Sequence, residues 1–287
     1  MRTYELKDSP SFTKIGFMIN DICQYRCSYC VVKDSLVTKL VLVQGEKLVD
    51  AVIEFSKNFD DVRFFVSGGE PLMTVHTLRY FLNQVPTKNV VIGTNGLNAR
   101  NMNAIIKEYP EIKFSVSVHV DEIQEAEMLR LLQYCTVNYQ HIGNISVLLD
   151  YNATMPLHLE QYIKILSKMV PVKVIPKAVP NFDELIEQYG CFKYSSGTKV
   201  LIDGEELDAN ALYSKDNSTL GMKCDTTKEY FFDFYGNTAS CGYALQDQGN
   251  LFTDPKSIIR TEPITCPKKY CSTAMIYTDK YTDKTAA

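Results

Sequence analysis

The sequence predicts an α/β protein: a partial, TIM-like (β/α)6 barrel followed by a small β-rich C-terminal module. Between residue 13 and about residue 180, six short apolar runs alternate with amphipathic stretches, and after Pro180 the rhythm changes to closely spaced strand-like segments. Strand, helix, strand implies parallel pairing, because a parallel neighbour is reached only through a crossover. Six such units leave the barrel open rather than closed with eight strands, and its site belongs at the C-terminal ends of the strands.

The predicted strands are TKIGFMIN from Thr13, VRFFVSG from Val62, NVVIGTN from Asn89, KFSVSVH from Lys113, HIGNISVLL from His141 and PVKVIP from Pro171. Between them apolar residues recur at helical spacing, as in Leu48, Val52, Phe55 and Phe59, or Leu159, Ile163, Leu166 and Val170. A last helical stretch, NFDELIEQYG, leads into KVLIDGEEL and YFFDFYGNTAS, which read as hairpins turning at Asp203-Gly204 and Tyr235-Gly236-Asn237. The expected division is residues 1–190 for the barrel and 191–287 for the second module and a polar tail.

With 287 residues and 45% hydrophobic content the chain buries a substantial core. A net charge of −4 without any Lys/Arg block gives no electrostatic reason to expect nucleic acid as a partner. The start, MRTYELKDSPSF, lacks the apolar core of a signal peptide, and no segment offers about 18 uninterrupted apolar residues, so a cytoplasmic protein without membrane attachment is expected. In a reducing compartment the nine cysteines read as metal ligands, nucleophiles or core residues rather than disulfides.

Directly after the first strand stands Cys23-Gln-Tyr-Arg-Cys27-Ser-Tyr-Cys30, a spacing that wraps one short loop around a metal centre. A 4Fe-4S cluster takes four ligands and this loop offers three, which leaves one iron open. A zinc knuckle borrowing a distant fourth ligand is the alternative. The end of the second strand reads Ser67-Gly68-Gly69-Glu70-Pro71-Leu72, where paired glycines expose the main chain to a ligand.

The cysteine spacing, with Tyr29 before its last member, and the Gly68-Gly69-Glu70-Pro71 run one strand later resemble the radical S-adenosylmethionine (SAM) superfamily. The resemblance implies a 4Fe-4S cluster on Cys23, Cys27 and Cys30 whose open iron is chelated by the amino and carboxylate groups of SAM. It also implies one-electron cleavage of SAM to a 5'-deoxyadenosyl radical. Gly68, Gly69, Glu70 and Pro71 are then expected at the SAM amino group, with Gly69 leaving space for ligand and having no part in holding iron. Asn95, in a Thr-Asn-Gly turn similar to one often found after the family's third strand, is a further candidate. Ser117 and His119 share a face of the fourth predicted strand, and Asn144 and Ser146 one of the fifth, so all four are candidates for SAM or for ordinary buried hydrogen bonding. Arg130 reads as a solvated charge on a helix.

Four more cysteines, Cys224, Cys241, Cys266 and Cys271, follow the barrel at spacings x16, x24 and x4, a full complement for one cluster or one zinc. They resemble the twitch module, the shortened relative of the two-cluster SPASM domain, which makes the C-terminal part an iron-sulfur module with a second 4Fe-4S cluster. Cys135 reads as core. Cys191, at the junction, is a candidate hydrogen donor or a packing residue.

The resemblance implies hydrogen abstraction from substrate carbon, with a peptide or protein side chain as the favoured substrate and a small polyol, aminocyclitol or nucleoside as the alternative. An external one-electron donor such as flavodoxin or ferredoxin is the expected partner. A non-catalytic scaffold with zinc at both cysteine sets is the reading of another class.

Overall fold

The structure is a computed structural model describing residues 3–6, 11–30, 36, 42–149, 157–176, 187, 199–202, 205–208, 220, 223–224, 227–241, 244–262, 264–265 and 269. A strand β1 (Thr3–Leu6) precedes the barrel. The barrel strands are β2 (Thr13–Met18), β3 (Val62–Ser67), β4 (Val90–Thr94), β5 (Lys113–His119), β6 (Ile142–Leu149) and β7 (Val172–Pro176). They alternate with helices α1 (Leu42–Ser56), α2 (Val75–Leu82), α3 (Ala99–Glu108), α4 (Glu125–Val137) and α5 (Leu157–Leu166). Adjacent barrel strands pair in parallel and in sequence order. Together they form the open six-stranded α/β barrel that the apolar rhythm predicts.

Period-two patterning explains which side of each strand meets the helices. On β5, Phe114, Val116 and Val118 are fully buried, in one core with Leu48, Leu78, Met102 and Leu131 of the helices. Phe17 of β2 and Phe64 of β3 both meet the edge of Phe81 on α2, with ring centroids 5.0 and 5.2 Å apart. Burying each phenyl ring contributes about 1.5–3 kcal/mol. Of the two helical stripes, Leu48, Val52, Phe55, Leu159, Leu166 and Val170 are buried, with Phe59 and Ile163 packed at the margin of the core.

The later strands are β8 (Lys199–Ile202), β9 (Glu205–Asp208), β10 (Lys223–Cys224), β11 (Glu229–Phe232), β12 (Asn237–Cys241), β13 (Ala244–Asn250) and β14 (Ile264–Thr265). Both expected hairpins form: β8 pairs antiparallel with β9, and β11 with β12. Gly236 holds the second turn at φ +80°, where an L side chain is strained, while the Asp233 carboxylate accepts from the N–H groups of Tyr235 and Asn237.

Two pairings cross the boundary expected near residue 190. Strand β11 runs parallel to β2 and adds a seventh parallel strand to the barrel sheet, giving the order β13-β12-β11-β2-β3-β4-β5-β6-β7. Tyr230 and Phe232 insert beside Phe55 of α1, at centroid distances of 5.1 and 5.3 Å, so the hairpin belongs to the barrel core. The second crossing is β1, read from sequence as a polar lead-in. It is the central strand of a separate sheet, β14-β10-β1-β8-β9. The segment NFDELIEQYG lies outside the described residues except for residue 187. Among the described residues no helix is long and apolar enough to cross a membrane.

Candidate cluster and cofactor site

Three strand ends make the site. Strand β2 runs into Asn20, Asp21 and the loop bearing Cys23, Cys27 and Cys30, β3 into Gly68–Pro71, and β4 into Asn95 and Gly96. Cys27 is buried, and Cys23 and Cys30 are half-buried on the same loop. A turn bond from Cys30 N–H to the Cys27 carbonyl (3.1 Å) shapes the second half of the loop. The Tyr25 N–H points at the Cys23 sulfur at 3.3 Å, and the Arg26 guanidinium donates to the carbonyls of Cys23 and Tyr25.

Burial pushes the Cys23 thiol up to about 11 and raises Cys27 as well, so both stay protonated at neutral pH until a metal displaces the proton. Among the described residues no three His, Cys, Asp or Glu side chains converge tightly enough to hold a single metal ion. A cubane distributes its ligands over separate irons, so three thiols spread along one loop with a main-chain donor at sulfur suit it.

The first side chain that ties the loops, Asn20, is one that sequence reasoning did not single out. Asn20 is buried, and all four of its hydrogen-bonding positions are used. Its amide donates to the Glu70 carbonyl (2.9 Å) and Thr74 Oγ1 (2.7 Å), while Oδ1 accepts from Gly69 N–H (3.1 Å) and Ile22 N–H (3.3 Å). The Glu70 N–H donates to the Ile22 carbonyl at 2.7 Å. The cluster loop therefore lies directly on the glycine pair. A Cβ at Gly69 would stand 2.1 Å from the Ile22 oxygen, and one at Gly68 would stand 2.9 Å from Asn20 O and Oδ1. This revises the explanation of Gly69: its missing side chain makes room for the backbone that leads into Cys23.

Glu70 carries the tie onward. Its buried carboxylate accepts from Leu72 N–H (3.0 Å), Thr94 Oγ1 (2.8 Å) and Asn95 N–H (2.8 Å). Burial raises its pKa, and these donors oppose the shift by favouring the carboxylate. Asn95 closes the circuit, its Oδ1 accepting from Gln24 Nε2 at 3.0 Å and its Nδ2 facing the Cys23 sulfur at 4.0 Å.

On β5, His119 points to the cluster loop. Its Nδ1 lies 2.8 Å from the Tyr29 hydroxyl and 3.8 Å from the Cys27 sulfur, and its ring lies nearly parallel to that of Tyr29. Ser117 stands opposite Ser146 on β6, and Asn144 Oδ1 accepts from Ser115 Oγ at 2.8 Å, so Asn144 is bonded to β5. Cys135 is fully buried on α4, its thiol pushed up to about 12 by burial, as a core residue requires. Of the second cysteine set, Cys224 lies on β10 and Cys241 at the end of β12. Cys191, Cys266 and Cys271 lie outside the described residues.

Asp21 connects the cluster loop to the β11–β12 hairpin. It is buried, with Oδ2 accepting from the Tyr235 hydroxyl at 2.8 Å, while Oδ1 has no hydrogen-bond partner among the described residues. The bond to this carboxylate raises the Tyr235 pKa.

Residues 16–139, which span the cysteine loop, the glycine pair and His119, match the family described as a 4Fe-4S single cluster domain. That description accords with a 4Fe-4S cluster as the expected group on the cysteine loop. No curated protein matches the chain. A solved structure described as native anSMEcpe with bound AdoMet superposes with a TM-score of 0.57 at 11% identity, over 87% of this chain and 80% of that one. A second, described as native anSMEcpe with bound AdoMet and Cp18Cys peptide, gives 0.54 at 14% identity, over 86% and 79%. At these identities the likeness establishes the fold.

Proposed function

We propose that the chain is a radical SAM enzyme whose substrate is a peptide or protein side chain. One observation carries the reading: the loop bearing Cys23, Cys27 and Cys30 is bonded directly onto Gly69-Glu70, so the three thiols and the glycine pair form one unit at the C-terminal strand ends. The shared fold with a structure described as holding AdoMet supports it, and the one described with AdoMet and a peptide supports the substrate class.

Cys23, Cys27 and Cys30 would hold the cluster, whose chemistry when bound is to supply one electron to the SAM sulfonium, releasing methionine and the 5'-deoxyadenosyl radical that abstracts hydrogen. The chain's own residues do the positioning. Gly68, Gly69, Glu70 and Pro71 present main-chain groups for the SAM amino group, and Glu70 acts through its carboxylate to place Asn95. Tyr29 and His119 line the loop on its β5 side and, with Ser117 and Asn144, offer polar groups along the strands. An external one-electron donor of the flavodoxin or ferredoxin type is needed because the reaction begins with a reduced cluster.

Cys224, Cys241, Cys266 and Cys271 are proposed to hold a second cluster. Support comes from the register of β10 and β14, which sets Lys223, the neighbour of Cys224, opposite Thr265, the neighbour of Cys266. The test is anaerobic reconstitution followed by chromatography of the products formed from SAM and dithionite. Production of 5'-deoxyadenosine that disappears when Cys23, Cys27 and Cys30 are all replaced by Ala is expected. Undiminished cleavage in that variant, or zinc without sulfide in the native protein, would overturn the reading.

A further inference from the structure

We infer that Asn20 is a positioning residue that sets the distance between the cysteine loop and the Gly69-Glu70 loop, and through that distance the affinity for SAM. The inference rests on the proposed radical SAM reading.

Asn20 stands three residues before Cys23, just past the end of β2, and is about 1% exposed. Each partner of its side chain belongs to one of the two loops: Ile22 on the cysteine side, and Gly69, Glu70 and Thr74 on the other. None belongs to the hydrophobic core. The amide thus acts as a spacer of fixed length, donating at one end and accepting at the other.

Other residue types do not reproduce this. Aspartate keeps the acceptor but loses both donors and sets a carboxylate oxygen against the Glu70 carbonyl. Serine and threonine present one hydroxyl where four bonds are made. Glutamine adds a methylene, which moves the amide away from the four groups that the shorter side chain meets. The loss also differs in kind from damage to the core. The rings around Phe17 and Phe81 stay packed, and what is released is the spacing between two main-chain segments.

The test compares Asn20→Ala, Asn20→Asp and Thr74→Val with the native chain. In the apo-protein, hydrogen exchange followed by mass spectrometry should show Asn20→Ala losing protection in peptides covering 20–24 and 68–74, with β5 and β6 still protected. In the iron-loaded protein, SAM titration should show its dissociation constant raised on the order of tenfold, the equivalent of about one lost hydrogen bond, with iron content retained. Thr74→Val removes one of the four Asn20 bonds, together with the bond from Thr74 Oγ1 to the Pro71 carbonyl, and should weaken SAM less, with Asn20→Asp between the two. A purely structural role would lower the melting temperature and leave the affinity of the folded fraction unchanged.

Native SAM affinity in iron-loaded Asn20→Ala, or a loss no greater than that of Thr74→Val, would overturn the inference. If Asn20→Ala does not fold, native affinity in Asn20→Asp would do the same. A native chain that binds no SAM would sink the radical reading instead, and the exchange measurement would still decide whether Asn20 holds the two loops together.

Discussion

Replacing Gly69 by alanine adds one carbon at the point where the cluster loop crosses the glycine pair. The new Cβ would stand 2.1 Å from the Ile22 carbonyl oxygen, 2.4 Å from its carbon and 3.0 Å from its nitrogen. All three are backbone atoms, so no side chain can rotate away, and relief requires one loop to move by roughly 1 Å. Such a shift breaks the bonds from Glu70 N–H to the Ile22 carbonyl (2.7 Å) and from Gly69 N–H to Asn20. With about 1–3 kcal/mol for each of the two bonds lost, the loss is about 2–6 kcal/mol. At about 2–4 °C per kcal/mol, the melting temperature of the apo-protein falls markedly. Because Cys23 follows Ile22 directly, iron retention falls with it, contrary to the expectation that Gly69 serves the ligand alone. Gly143→Ala is the control, since its Cβ meets nothing nearer than 3.6 Å. Thermal unfolding and iron analysis of both variants decide the matter. Native iron content and stability in Gly69→Ala would show that the cluster loop does not lie against this residue.

Three further outcomes follow from the same geometry. Glu70→Gln should destabilise the protein by about 1–3 kcal/mol in thermal unfolding, because an NH2 group would face one of three donors that now point at a carboxylate; a neutral effect would contradict the circuit through Thr94 and Asn95. Tyr235→Phe would remove the hydroxyl that donates to buried Asp21, leaving both its oxygens without a partner among the described residues, and should lower stability by a similar amount, read by denaturant unfolding; an unchanged midpoint would argue against the contact between hairpin and cluster loop. Cys241→Ala should reduce iron from about eight to about four per chain while sparing cleavage of SAM; full iron in the variant would remove Cys241 from the second cluster.

The barrel was readable because its strands carry the pattern of their own burial. Each of the six predicted strands begins within one residue of the observed one. Spacing likewise sets the three cysteines on one short loop after the first barrel strand. Local pattern does not contain long-range pairing, which is why β11 reads as part of a separate module although its aromatic residues complete the core beside Phe55. The same applies to β1, four residues whose position at the centre of a sheet depends on partners about 200 residues away. Asn20 was missed because a polar residue at a strand end is ordinary in sequence. Its one signal is an amide closing the apolar run Ile15 to Ile19 just before the first cysteine, and only the packed loops show that all four of its bonds are used. The sequence marks Gly69 as a place kept clear for a ligand, whereas the neighbour that a side chain there would strike is a protein backbone that spacing alone does not reveal.

The central claim, that Cys23, Cys27 and Cys30 hold a cluster with an iron left open for SAM, is tested most directly by electron paramagnetic resonance of the reduced, reconstituted protein with and without SAM. The Cys241→Ala variant serves as sample, so that the second cluster does not contribute. The expected result is the signal of a reduced 4Fe-4S cluster whose spectrum changes on addition of SAM and which is absent when the three cysteines are replaced. A cluster signal unaffected by saturating SAM, or one that survives loss of all three cysteines, would contradict it.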